Sequence, residues 1–351
     1  MSTDVSSTHA RSTSRAPGVQ VDFGRRVLVL RRRRIAVRVD WRSVVVCAVL
    51  TLAIAGMAVL ALMTGSYQLS PGQVVSALAG AETGLVHDIV VEWRLPRVAA
   101  ALVFGAALGV SGAIFQSMLR NPLADPGIIG FAEGSYTGAL IVILVVNGTY
   151  WQLVGGALLG GLATGLAVYV LAYRRGVQGF RLIVVGIGVS AMLWSLNTWL
   201  ILKAELEQAM AAAAWRAGSL NGVSWDRVAI GGVCIAVFLL LAGGLSRPMR
   251  QLELGDDAAA AQGVRVSPVR LGLLVVGVAL TATVTAASGP IAFISLVAPQ
   301  IARRLARTAG ITLAPAALVG ALLCLAADYI AQHVAPTPLP VGSITVMLGG
   351  G

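Results

Sequence analysis

The chain has 351 residues, 57% of them hydrophobic and 12% charged, with a formal net charge of +11 and a mean hydropathy of +0.84. A soluble domain carries about 25% charged and 45–50% apolar residues, so a water-soluble globule is excluded. The positive charge does not mark a nucleic-acid partner, because +7 of the +11 falls in the first 42 residues, which hold ten Arg against three Asp.

The chain begins with a polar stretch, residues 1–24, rich in Ser, Thr, Arg and Gly. It has no apolar run and does not read as a cleaved signal peptide. With the Arg31, Arg32, Arg33, Arg34 run it makes residues 1–42 a basic tail expected on the cytoplasmic side of a first membrane helix.

Residues 43–351 are expected to form an all-α, polytopic membrane domain of about ten helices. Apolar spans fall at roughly 43–64, 96–118, 127–147, 151–173, 181–202, 228–246, 271–288, 291–306, 312–333 and 340 to the end. The runs are continuous rather than alternating, which favours helices over barrel strands. With the N-terminus inside and strict alternation, 21 of the 26 basic residues lie on the inner side and five outside. That asymmetry supports both the orientation and the helix count. The segment 247–270 then becomes a long inner loop. No GxxxxGK[ST] run occurs, so the chain has no P-loop of its own.

Four stretches carry information beyond hydropathy. Arg94-Leu-Pro-Arg97 places two arginines at the outer end of the second span, either snorkelling to the interface or offering hydrogen bonds to an acidic partner. Gln116…Arg120-Asn121-Pro122-Leu-Ala-Asp125-Pro126 breaks a helix near the inner surface. Irregular backbone there is tolerated only where protein buries it or water reaches it, and Arg120 and Asp125 could pair. In the inner loop, Leu254-Gly255-Asp256-Asp257 reads as a helix start, with acids suited to the dipole, and Gly263 as its stop. Such a helix is either an idle connector or a lever for a soluble partner. Gly289-Pro290 opens a short span kinked at Pro299.

Asp328 and Glu133 are carboxylates within apolar spans and carry a functional suspicion, with a structural hydrogen-bonding role as the alternative for Asp328. Cys47, Cys234 and Cys324 lie in spans without CxxC spacing and read as core fillers; His9, His87 and His333 are scattered. No catalytic set can be assembled, and neither a metal nor a cofactor is expected.

Taken in order, Arg94-Leu-Pro-Arg97, Gln116…Arg120-Asn-Pro-Leu-Ala-Asp-Pro126, Trp215-Arg216-Ala-Gly-Ser219 with Trp225, Leu254-Gly-Asp256…Gly263, Gly289-Pro-Ile-Ala-Phe293…Pro299, Ala327-Asp328 and Leu339-Pro-Val-Gly342 resemble the FecCD family. These are permeases of bacterial ABC importers for iron–siderophores, haem and vitamin B12. The resemblance spans residues 94–342, and the Arg-Asn-Pro-Leu-Ala-Asp-Pro run is its most specific part.

The resemblance implies a fold like the vitamin B12 importer permease, and a translocation path at the interface with a second permease subunit, identical or different. It implies two cytoplasmic ATPase subunits coupled through Leu254–Gly263, and a substrate-binding protein docked outside on Arg94 and Arg97. The chain departs from the family at Gln300, where relatives commonly carry His, at Gln332, where some relatives carry Arg, and in its last span. Pro340 to Gly351 is twelve residues, on the order of 18 Å at about 1.5 Å each, so that helix reads as truncated. Ferric siderophore is the expected cargo, with haem or a corrinoid as alternatives. A proton-driven carrier using Asp328 or Glu133, and a membrane scaffold, are the rival classes.

Overall fold

The computed structural model describes residues 27–32, 35–173, 179–334 and 337–350. The polar stretch 1–24, Arg33, Arg34, Arg174 and Arg175 therefore lie outside the described residues. The described residues up to Arg42 and those from Ser43 onward form separate compact units.

The first unit contains an element the sequence reading passed over. Strands β1 (Val27–Arg32) and β2 (Ile35–Asp40) pair antiparallel, with Val27 opposite Asp40 and Arg32 opposite Ile35. β-Branched residues at 27, 29, 35, 37 and 39 fit an extended chain. The hairpin is small, and among the described residues of the membrane unit every regular element is a helix.

That unit opens with α1 (Trp41–Met63) and the short α2 (Pro71–Leu78), which starts on a Ser70/Gln73 capping box. Then come α3 (Leu85–Leu119), α4 (Phe131–Val146), α5 (Tyr150–Ala172) and α6 (Gly179–Lys203). They are followed by α7 (Leu206–Arg216), α8 (Trp225–Glu253) and α9 (Asp256–Ala261). The unit closes with α10 (Val266–Ser288), α11 (Ile294–Ala306), α12 (Leu313–His333) and α13 (Val341–Gly350).

Each of the ten expected spans corresponds to a helix. Seven are long and apolar enough to cross a bilayer, whereas α4, α11 and α13 are shorter. The extra helices α2, α7 and α9 lie in the connections.

Helix α3 is the axis of the bundle. Its most apolar window is 78% buried, against 6% for α1, and it packs on α8, α10, α11 and α12. Phe104, Leu108 and Phe115 are fully enclosed along it. Lipid tails are as apolar as leucine, so contact between helices has to come from close packing.

Glycines supply that packing at two crossings. A Cβ on Gly105 or Gly109 of α3 would overlap the carbonyl oxygens of Gly320 or Ala316 on α12. Gly134 and Gly138 of α4 face Gly156 and Gly160 of α5 in the same way, each meeting the opposite backbone.

The second span differs from expectation at its start. It runs back to Leu85, so Arg94 and Arg97 sit inside a helix rather than at its end. Pro96 has no N–H to give the preceding turn. The chain answers with a π-helical stretch, Asp88–Arg94, in which the Leu95 N–H reaches the Val90 carbonyl. The Val91 carbonyl is taken by the indole Nε1–H of Trp225 at 2.9 Å.

Candidate translocation and coupling site

Two helices of this bundle begin partway along it rather than at its ends. Helix α3 stops at Arg120, which adopts a left-handed conformation with φ 50°. Asn121 accepts from the Leu123 N–H at 3.0 Å, and Asp125 caps a single 3-10 turn, Pro126–Ile129, by accepting from the Gly127 N–H at 3.0 Å. Pro122 is exposed and Pro126 buried. The chain has by then climbed back along the bundle: Gly130 lies against Ser190 in the middle of α6, and the Ser295 hydroxyl donates to Asp125. Arg120 and Asp125 do not pair; each has another partner.

The second break precedes α11. Gly289 (φ 74°) and Phe293 (φ 68°) turn the chain, and α11 starts at Ile294 beside the last third of α3, where Gly112 lies against the Ser295 backbone. Gln116 of α3 donates to the Leu296 carbonyl at 2.8 Å and accepts from Gln300, which in turn accepts from Arg303 at 3.1 Å. Gln300, a departure from the resembled family, thus joins α11 to α3. Pro299 is buried inside α11.

A third irregular stretch follows α7. The Ser219 N–H donates to the Ser288 carbonyl at 2.7 Å, and the Gly342 N–H to the Gly218 carbonyl at 3.0 Å. Residues 217–219, 288–293 and 340–343 thereby converge, as in transporters whose broken helices line a path.

Beside them lies a cavity of about 260 Å³, lined in part by Glu133, Tyr136, Arg216, Pro290, Gly342 and Ser343. The Arg216 guanidinium donates to Glu133 Oε1 at 2.9 Å and rests 4.6 Å above the Tyr136 ring centre. Tyr136 is itself stacked on Trp215, 6.1 Å between centroids. The sequence marks Glu133 by its place in a span and Arg216 only within a motif, and does not pair them. An Arg at the end of a loop helix carries no depth signal in hydropathy.

At the end of the bundle reached by the N-terminal part of α3, Arg97 grips Asp328 of α12. Its Nε and Nη2 donate to the two carboxylate oxygens, each at 2.7 Å, and its Nη1 donates to Asn221 Oδ1 at 2.6 Å. Gln332 also donates to Asn221 Oδ1, at 3.3 Å. Arg94 donates to the Leu62 and Tyr67 carbonyls, both at 2.6 Å, and so ties the end of α1 to α3. Both arginines put donors to use within the chain.

At the opposite end stands α9. Gly255, with φ 114°, makes the turn into it, and Asp256 and Asp257 occupy its first turn. Gly263 closes it with a Schellman pair: its N–H reaches the Ala260 carbonyl at 2.9 Å and the Val264 N–H reaches Ala259 at 3.0 Å. The two acids diverge. Asp257 is exposed, as is Leu254. Asp256 accepts from Arg270 of α10 at 2.7 Å and lies 3.5 Å from Arg120 at the end of α3. Alongside, the Ser117 hydroxyl donates to Glu253 at 2.7 Å. Leu254, Gly255 and Gly263 make no side-chain bond of this kind. Among the described residues no group of three His, Cys, Asp or Glu stands close enough to hold a metal ion.

A helical bundle of this kind, with small-residue crossings, helices that start partway along it and a cavity at their breaks, defines a multi-pass membrane protein of the transporter class. The FecCD transport family matches residues 49–351, and the chain belongs to that family. It is 48% identical over 313 residues, 89% of this chain and 95% of the relative, to the ferric enterobactin transport system permease protein FepG of Escherichia coli (strain K12). It is 35% identical over 318 residues, 88% of this chain and 95% of the relative, to the iron(3+)-hydroxamate import system permease protein FhuG of Bacillus subtilis (strain 168). Among solved structures, an inward-facing metal-chelate type ABC transporter superposes with a TM-score of 0.77 at 27% identity, covering 87% of this chain and 96% of that one.

Proposed function

We propose that this chain is the membrane-spanning permease subunit of an ATP-driven importer for ferric siderophores in a bacterial cytoplasmic membrane. The observation that carries the reading is 48% identity, over 95% of its length, to a ferric enterobactin permease. The chain would contribute no ATPase site. It would work with a second permease subunit, two ATPase subunits on the cytoplasmic face and a binding protein outside, with its N-terminus in the cytoplasm.

The geometry supports a division of labour. Helix α9, with Leu254, Asp257 and the turn at Gly255 exposed or half-exposed, is the element offered to the ATPase. Asp256 joins it to α3 and α10, so a push on α9 reaches the axis of the bundle. The breaks at Arg120–Pro126 and Gly289–Pro290 let α4 and α11 shift against α3 as short rods. At the other end, the binding protein would dock over Arg94 and Arg97. Their internal bonds fix the shape of that face.

A proton-driven carrier fits less well. Its two candidate carboxylates, Asp328 and Glu133, are ion-paired to Arg97 and Arg216. The test is uptake of radiolabelled ferric enterobactin and ferric hydroxamate by cells with and without the gene. Loss of either uptake in the deletion supports the reading; unchanged uptake of both contradicts it.

A further inference from the structure

The pair formed by Glu133 and Arg216 has features of an exchangeable contact rather than a fixed strut. The carboxylate divides its oxygens. Oε1 takes Arg216, while Oε2 accepts from the side-chain amide of Asn197 at 3.1 Å. Asn197 is fully buried and held in orientation by Thr137, whose hydroxyl donates to its Oδ1 at 2.7 Å. Glu133 therefore keeps a hydrogen bond if Arg216 leaves. A pair whose removal strands a buried charge is costly to open; this one is not stranded, and its side chains are 38% and 22% exposed.

Arg216 has reasons to meet a ligand. It lines the cavity, and one of its five N–H donors serves Glu133. Directly beneath the cation lies Tyr136, 2% exposed, whose buried hydroxyl has Arg216 as its charged neighbour but makes no hydrogen bond of good geometry. A buried polar group of that kind calls for an explanation. An anionic oxygen arriving beside Arg216 supplies one, because it accepts from the cation and lies close to the phenol. At about 260 Å³ the cavity is below the 300–1,000 Å³ of pockets that enclose a drug-sized molecule. It suits one arm of a larger anion rather than the whole of it.

We propose that Arg216 is a cargo-contacting residue of the permease: it exchanges Glu133 for an anionic oxygen of the passing iron chelate, so that the cavity favours negatively charged chelates. This inference rests on the importer reading and adds the charge class of the cargo.

The test uses the complete transporter, with all its subunits, in lipid nanodiscs. Cys47, Cys234 and Cys324 are replaced by alanine and Ser343→Cys is introduced on the cavity wall. The rate of alkylation of that thiol is measured with and without chelate. The anionic ferric tris-catecholate of enterobactin is expected to slow alkylation, while the cationic ferrioxamine is not. With Arg216→Gln, the catecholate concentration giving half protection is expected to rise about tenfold, the effect of losing one hydrogen bond to a charged group. With Glu133→Gln, which retains the Asn197 contact and releases Arg216, it is expected to fall.

Equal protection by both chelates, or protection untouched by Arg216→Gln in a folded complex, overturns the proposal. So does the absence of protection by the catecholate. ATP-driven uptake by the same variants reconstituted in proteoliposomes separates these results from a failure of the importer reading itself.

Discussion

Arg97 and Asp328, 231 residues apart in sequence, face each other fork to fork across α3 and α12, with both carboxylate oxygens bonded at 2.7 Å. The Asp328 side chain is 6% exposed and that of Arg97 19%. Their helices are held close enough for this by Gly105, Gly109 and Gly320 below the pair. The intramembrane carboxylate that looked functional is thus first of all one half of a strut.

Removing one half leaves a buried charge. Asp328→Ala or Arg97→Ala is expected to destabilise the permease by about 3–5 kcal/mol and to lower its level in the membrane. The exchange Arg97→Asp with Asp328→Arg is expected to recover part of that level. Thermal melts of the detergent-solubilised complex check both.

The two acids of α9 are expected to separate. Asp257→Lys changes an exposed residue and should leave the melting temperature of the permease unchanged, while chelate-stimulated ATPase activity of the assembled transporter falls. Asp256→Lys places a third cation beside Arg120 and Arg270, which bind Asp256 in the wild type. It should lower the melting temperature as well as the activity. Melting and ATPase assays on the two single variants decide the matter.

Close packing at the α4–α5 crossing gives a third expectation. A side chain at Gly138 meets the Gly156 backbone, and backbone cannot give way as a flexible side chain can. Gly138→Leu is expected to prevent stable accumulation of the protein, whereas Gly232→Leu, with nothing within 4 Å of its Cβ direction, is expected to be tolerated. Immunodetection of membrane fractions distinguishes them.

Trp225 supports the π-helical turn of α3 through one hydrogen bond to the Val91 carbonyl. Trp225→Phe should cost about 1 kcal/mol, read as a small fall in melting temperature with uptake retained.

Much of the bundle is visible in the sequence because a bilayer enforces continuous apolar runs. A helix lies at each of the ten spans that hydropathy marks, and Pro122, Pro126 and Gly289–Pro290 mark the breaks. What the sequence hides is pairing at a distance. Nothing in local pattern links Arg97 to Asp328, Arg216 to Glu133, or Arg120 to Asp256 rather than to nearby Asp125. Those contacts arise from the order of helices around α3. The start of α3 is hidden for a related reason: Pro96 reads as a helix end, yet a π turn and the Trp225 indole carry the helix past it. The strands β1 and β2 are hidden because the Arg31–Arg34 run makes residues 1–42 read as a basic tail.

The central claim is that ATP, acting through α9, drives iron chelate through this chain. Its most direct test is accumulation of radiolabelled ferric enterobactin in proteoliposomes that hold the full set of subunits, with the binding protein on the outside. Uptake that requires ATP within the vesicles, persists with a protonophore present and is lost with Asp257→Lys is the predicted result. Uptake that proceeds without ATP and collapses with the proton gradient would contradict the account and make the chain a secondary carrier.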